Sequence, residues 1–188
     1  MQNYIVGLIR EKGNVIPVEL FGYDSKGMPG IEILGLGTYG RTVKEKFVFL
    51  TKSLGLKIPL RRYVLSVDDK VLRDIKKKDY VYLEFPLLIL YLSLAEIIPI
   101  KNLSDCFTCG SVQVLGLVVQ PDLSHNDLLA VKTYLQNSYL SHIESLKFIT
   151  HVPADLPNKM HFLDSKEIFS SMPALKFSSQ TPTFTGIL

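Results

Sequence analysis

Apolar positions recur along this chain with two different periods, and the changes of period divide it into elements. Tyr4 to Ile9 is a short β-prone run, and Val15 to Tyr23 is a second one. Gly13-Asn14 between them is a turn signal, so the pair reads as a hairpin. Pro17 cannot donate to a ladder, which places its part of the second strand at an edge or a bulge. Asp24 to Gly30 has the composition of a loop. Ile31 to Leu34 is a third strand, and Gly35 to Gly40 a glycine-rich turn. From Thr38 the period becomes helical: Val43, Phe47, Leu50 and Leu54 fall at i, i+4, i+7 and i+11. Thr38 is the expected N-cap and Gly55 the expected stop. Arg61 to Val67 alternates, with Tyr63, Leu65 and Val67 on the inner side of a half-buried strand.

The second half continues in the same manner. Asp68 to Asp79 is polar and basic, with Lys76, Lys77 and Lys78 in a row. It reads as a solvated loop or short exposed helix, with a phosphate-contacting patch as the alternative. Tyr80 to Ile100 is strongly apolar, but its charge-free core runs only from Phe85 to Ala95. A membrane span needs about 20 apolar residues, so a buried helix from Glu84 to Ile97 is predicted, with Pro86 in its first turn. Phe107 to Val119 predicts a strand pair. Ser124 to Leu140 predicts an amphipathic helix, capped by Ser124 with Asp127 three positions on, and striped by Leu128, Val131, Leu135 and Tyr139. Leu146 to Thr150 is a late strand, and Asp164 to Ser171 a short helix opened by an acid. Residues 173–188 show no period and are expected to be an extended or disordered tail after a domain spanning residues 1–172.

Composition changes this picture little. At 188 residues and 47% hydrophobic, the chain needs neither disulfide nor metal staple to close a core. A net charge of +3 permits nucleic-acid contact without requiring it. The start, MQNYIVGLIR, lacks the basic region that opens a secretory signal, so a cytoplasmic location is expected, with no membrane partner.

Candidate chemistry is sparse. Gly35-x-Gly37-x-x-Gly40 between a strand and a helix is the dinucleotide-binding pattern, in which glycines let the backbone approach a pyrophosphate. The ribose-binding acid should follow about 20 residues on. Ile58, Pro59 and Leu60 stand there instead, and Asp68 lies further along. No P-loop occurs. Cys106 and Cys109 form a lone C-x-x-C without the second pair that a zinc site needs, and read as core thiols. His125, His142, His151 and His161 have no ligand spacing. No metal or cofactor is expected.

Four segments, taken in order, resemble one family. Gly27-Met28-Pro29-Gly30-Ile31-Glu32-Ile33-Leu34-Gly35-Leu36 is similar to the GLPGFxIVGLP opening of the magnesium-chelatase-like ComM (YifB) proteins. Gly55 to Val67 resembles their GFxFPxxRITVNL segment, and Glu84 to Leu90 resembles DLPIAL. Cys109 to Pro121 resembles the GELSLDGxLRPV hairpin. The order and spacing agree over roughly residues 3–172. The resemblance implies an α+β fold: a two-layer mixed sheet with helices packed on one face, similar to ribosomal protein S5 domain 2 and the Lon protease domain. In the family this domain precedes an AAA+ ATPase acting in DNA branch migration, and that ATPase is not in this sequence. Gly37 replaces the family's proline and Thr38 its capping aspartate, so the resemblance turns the glycine pattern into a tight strand-to-helix turn. Lon-type peptidases place a serine just before the buried helix. Lys132 could mimic their lysine, but residues 79–85 contain no serine.

The resulting expectation is a non-catalytic binding or assembly module. Its partners would be a protein, either itself or a separate AAA+ subunit, or else DNA. Arg41, Lys44, Arg61, Arg62, Lys76, Lys77 and Lys78 are the candidate contacts. The competing expectation is a nucleotide- or dinucleotide-binding enzyme using Gly35, Gly37 and Gly40.

Overall fold

The computed structural model describes residues 1–68, 72, 77–137, 145–151, 156–157 and 160–180, with the backbone alone at 77, 78 and 180. Among these the chain opens with β1 (Gln2–Glu11), β2 (Asn14–Ser25) and β3 (Gly30–Leu34). Helix α1 (Thr38–Ser53), β4 (Arg62–Val67), a 3-10 helix (Lys77–Leu83) and α2 (Glu84–Leu94) follow. Then come β5 (Cys106–Thr108), β6 (Ser111–Val112), β7 (Leu117–Pro121) and α3 (His125–Asn137). The order closes with β8 (Leu146–Thr150), β9 (Met160–Asp164), α4 (Ser165–Ile168) and β10 (Lys176–Gln180).

The strands form a mixed seven-stranded sheet in the order β3-β4-β2-β1-β5-β8-β9 and a small sheet in the order β10-β7-β6. In the large sheet β2 is antiparallel to both neighbours and every other pairing is parallel. The protein is therefore of mixed α and β structure. The β1–β2 turn uses Lys12 and Gly13, both at positive φ, with Glu11 opposite Asn14, so the expected Gly13-Asn14 turn is shifted by one residue. Pro17 lies in a central strand, but β4 pairs only with Leu20 to Ser25 of β2, so Pro17 has a ladder on one side alone.

Helices cover both faces of the large sheet, which corrects the one-face arrangement. Ile5 and Ile9 of β1 pack with α1 and α2, whereas Val6 and Leu8 pack with Leu128, Val131 and Leu135 of α3. Alternate residues of a strand point to opposite faces, and here both sets are apolar, as in strands buried on two sides. Val64 is likewise buried between Tyr63 and Leu65, so β4 does not alternate as expected. On the second face the rings of Phe107 and Phe148 stack with centroids 4.9 Å apart.

Helix α2 is buried along its whole length and ends at Leu94, three residues earlier than expected. No helix among the described residues is long and apolar enough to cross a membrane. Helix α1 buries Val43, Phe47 and Leu50 as its spacing requires. It stops as expected: Gly55 N–H reaches Lys52 O at 3.0 Å and Leu56 N–H reaches Thr51 O at 2.9 Å. Its start differs. Gly37 holds the N-cap position with no side-chain bond, and Thr38 is already helical. Helix α3 starts at the expected Ser124–Asp127 box, where Asp127 N–H donates to Ser124 Oγ at 3.2 Å and Ser124 N–H to Asp127 Oδ2 at 2.9 Å. Tyr139 lies outside the described residues. Past residue 172 the chain makes a turn at residues 173 and 174, buries Leu175 in the core, and pairs Lys176–Gln180 with Leu117–Pro121 of β7, so this part of the expected tail is built into the fold. Residues 181–188 lie outside the described residues.

Candidate functional site

The glycine turn is built by close packing. β3 and β4 run parallel and α1 joins them, so the turn must reverse the chain within a few residues of β4. Gly35 sits at φ +89°, and a Cβ there would come within 2.3 Å of Val67 O. A Cβ at Gly40 would come within 2.9 Å of Ile33 O, so glycine lets the first turn of α1 lie against its own strand. Gly37 sits at φ +56° with open space beside it. Asp68 directly follows β4 and therefore lies beside this turn, closer than its distance in sequence implied.

Next to the turn, three donors converge on Glu84, the first residue of α2, whose carboxylate is only 1% exposed. Tyr39 O–H and Lys46 Nζ each reach Oε1 at 2.5 Å, and Val112 N–H reaches Oε2 at 2.8 Å. A buried carboxylate is tolerated only when paired and hydrogen-bonded, and here both oxygens are occupied. Burial and the Glu84 carboxylate push the Tyr39 phenol far above the ordinary tyrosine range, so it remains a donor. The cluster ties α1, α2 and β6 together. Sequence reasoning missed Tyr39 and Lys46. The available signal was an acid heading an otherwise apolar helix, which must find a cation.

A second buried polar node lies where β5 and β8 end. The Gln120 amide, 1% exposed, donates from Nε2 to Ile149 O at 3.1 Å, Cys109 O at 3.2 Å and Thr108 Oγ1 at 3.2 Å. Its Oε1 accepts from His151 N–H at 3.1 Å and Ser165 O–H at 3.3 Å, and lies 2.9 Å from His151 Nδ1. The two main-chain carbonyls fix which end of the amide is Nε2, so Oε1 faces the ring and Nδ1 must carry its proton. The lone pair is thereby left on Nε2. Burial holds His151 below the ordinary histidine value. Lys166 acts in the same direction, against Asp164 and Asp122.

The two cysteines cannot cooperate. Cys106 belongs to the core on the α1/α2 face and Cys109 to the core on the α3 face. Burial pushes the Cys109 thiol up to about 12, and burial with Asp105 beside it pushes Cys106 further. Both therefore remain protonated, unreactive thiols at neutral pH. Among the described residues no cluster of His, Cys, Asp or Glu could hold a metal.

The expected basic contacts do not form one patch. Arg41 and Lys44 lie on the first half of α1, an element of 16 residues and so ~24 Å long. Arg61 and Arg62 lie where β4 begins, at the other end of the β3-α1-β4 unit. Arg61 is paired with Asp24 Oδ2 at 2.9 Å and Glu96 Oε1 at 3.2 Å, and Arg62 with Glu32 Oε2 at 2.5 Å. Lys76 lies outside the described residues, as do the side chains of Lys77 and Lys78. Arg41 and Lys44 have no ion pair among the described residues, nor has Lys52 on the same helix. Between them Phe49 is 53% exposed.

Fold and sites together define a mixed α/β domain with a seven-stranded sheet, a packed glycine turn and an outward basic helix. No family model matches the chain, and no curated protein matches it.

Proposed function

We propose that this protein is a docking module of the ComM, magnesium-chelatase-like type, acting by binding rather than by turnover. Its docking surface is the outer face of α1. The supporting observation is that Arg41, Lys44 and Lys52 have no ion-pair partners among the described residues, on the same helix as the half-exposed ring of Phe49. Cations without intramolecular partners give up no existing contact when an acidic surface arrives, and an aromatic among them supplies the apolar anchor that binding hot spots need. Helix α1 is held from beneath by Val43, Phe47, Leu50 and the Lys46–Glu84 pair, so the face is presented without an ordering cost. The partner is an acidic macromolecular surface: an AAA+ subunit, a second copy of the chain, or DNA.

The test compares the full chain with R41E/K44E/K52E. Sedimentation reads self-association, anisotropy reads DNA oligonucleotides at low and moderate salt, and pull-down reads an AAA+ ATPase lacking its own N-terminal domain. One of the three is expected to bind with strong salt dependence and to be lost on charge reversal. Binding in none of the arms, or binding that the reversal leaves unchanged, removes the reading.

A further inference from the structure

At the open end of the β1–β2 ladder no helix among the described residues covers the second face of the large sheet. The register places Gln2 opposite Tyr23 and Tyr4 opposite Phe21, so all four side chains rise on this face. Phe21 is 47% exposed and Tyr23 41%, a concentration of aromatic surface that folding alone does not reward. These residues form the floor and one side of a groove of about 350 Å³. Asn102 and Ser104, on the segment leading into β5, form the other side. The volume falls in the range of roughly 300–1,000 Å³ typical of small-ligand sites.

The second wall is fixed in advance. Asn3 reaches through to the opposite face of β1, where its Nδ2 donates to Lys101 O at 2.9 Å and Ser93 Oγ at 2.8 Å. Its Oδ1 accepts from Leu103 N–H at 3.1 Å, so one side chain pins this segment to the sheet. Asn102 Oδ1 is occupied by Ser104 N–H at 3.0 Å, which leaves the Asn102 amide nitrogen as the donor available to a ligand.

Among the described residues no charged side chain lines the groove. Asp24 is paired with the N-terminal amine and Arg61, and Glu32 with Arg62. Glu19, two positions from Phe21 on the same face of β2, is a carboxylate and so adds no cation. Lys101 beside the wall is exposed and does not line it. A phosphorylated ligand would bring charge with no cation to receive it, and desolvating that charge would oppose binding. What remains is aromatic faces on one side, and an amide and a hydroxyl on the other. This combination suits a neutral ring with an apolar C–H face and a hydroxyl rim. The geometry points to a binding site for a neutral oligosaccharide, stacked on Phe21 and Tyr23 and hydrogen-bonded by Asn102 and Ser104.

The experiment is an amide-resonance NMR titration of the full chain with cellotriose, maltotriose and the trimer of N-acetylglucosamine. Adenosine, uridine and a short oligothymidylate are run as competing classes. At least one sugar is expected to shift Gln2, Tyr4, Phe21, Tyr23, Asn102 and Ser104 saturably. Phe21→Ala should weaken that sugar about tenfold, the scale of one lost stacking contact. Leu115→Ala, at an exposed position outside the groove, should leave it unchanged. Ser104→Trp, which fills the groove without touching the core, should abolish binding even if Phe21→Ala perturbs the fold. No saturable shift with any of the three sugars, or shifts at these residues with only the nucleosides or the oligonucleotide, overturns the assignment.

Discussion

Gly35 lies against the end of β4 so closely that a Cβ on it would stand 2.3 Å from the carbonyl oxygen of Val67, while its own φ is +89°. Both facts forbid a side chain independently: one by clash with backbone that belongs to the sheet, the other by the left-handed conformation. Gly35→Ala is therefore expected to cost roughly 2–5 kcal/mol, adding left-handed strain to overpacking. Gly37→Ala has open space around it and should cost only the conformational part, about 1–2 kcal/mol. Urea midpoints of the two variants check this order. Equal losses would mean that the packing at Gly35 can relax.

The Lys46–Glu84 pair makes a different kind of prediction. Removing one partner leaves a buried charge uncompensated, so Lys46→Met should destabilise by about 3–5 kcal/mol. Glu84→Gln keeps the shape, but with one acceptor oxygen it can satisfy Tyr39 or Val112 and not both, and it leaves the Lys46 ammonium facing a neutral amide. The double variant Lys46→Met/Glu84→Gln should recover part of the loss, because no unpaired charge remains. A double-mutant cycle by denaturant unfolding measures the coupling. Additive losses would show that the pair contributes no specific interaction.

These two sites also show what could and could not be read from sequence. The stripe of α1, the buried α2 and the Ser124–Asp127 cap were legible because each is a local pattern with one dominant period or one short-range bond. The position of α3 on the opposite face was not. β1 reads as an uninterrupted apolar run, and alternation cannot reveal which side is covered when both are. The Thr38 cap failed because the turn is made by glycine φ values rather than by a side-chain bond. Residues 38 positions apart, such as Lys46 and Glu84, meet only once the sheet has ordered both helices, and nothing local announces them. Arg61 and Arg62 read as free cations for the same reason, since their carboxylate partners lie on other strands or loops.

His151 gives the molecule a pH dependence of known sign. Its value in the fold is lowered from about 6.5, by burial first and by Lys166 second, against Asp164 and Asp122. Between the lowered value and 6.5 the unfolded chain binds more protons than the native one, so stability rises with pH through that window and is level above it. His151→Gln removes this contribution. Urea midpoints at several pH values between 5 and 7.5 should therefore climb more steeply for the parent than for the variant, by approximate expectation from an ordinary histidine near 6.5. Parallel curves would mean that the imidazole titrates alike in both states.

The glycine turn supports one more expectation, which separates packing from ligand binding. The β3-α1-β4 unit is parallel and Asp68 follows β4, so the outline of a dinucleotide site is present. Gly35 and Gly40, however, each abut a main-chain oxygen of the protein, Val67 O and Ile33 O respectively. Their missing side chains thus make room for the protein's own strands, and no space is left over for a pyrophosphate at those positions. Among the described residues β3 is also the edge of the sheet, with β4 as its one neighbour, so no crevice opens there between diverging strands as it does at a topological switch point. NAD, NADP and ATP at millimolar concentration are therefore expected to leave the melting midpoint unmoved. A ligand at 100 times its dissociation constant would add about 2.7 kcal/mol to the native state and shift the midpoint by several degrees. A shift of that size with any of the three, abolished by Gly37→Ala, would restore the nucleotide-binding alternative and displace the docking module from first place.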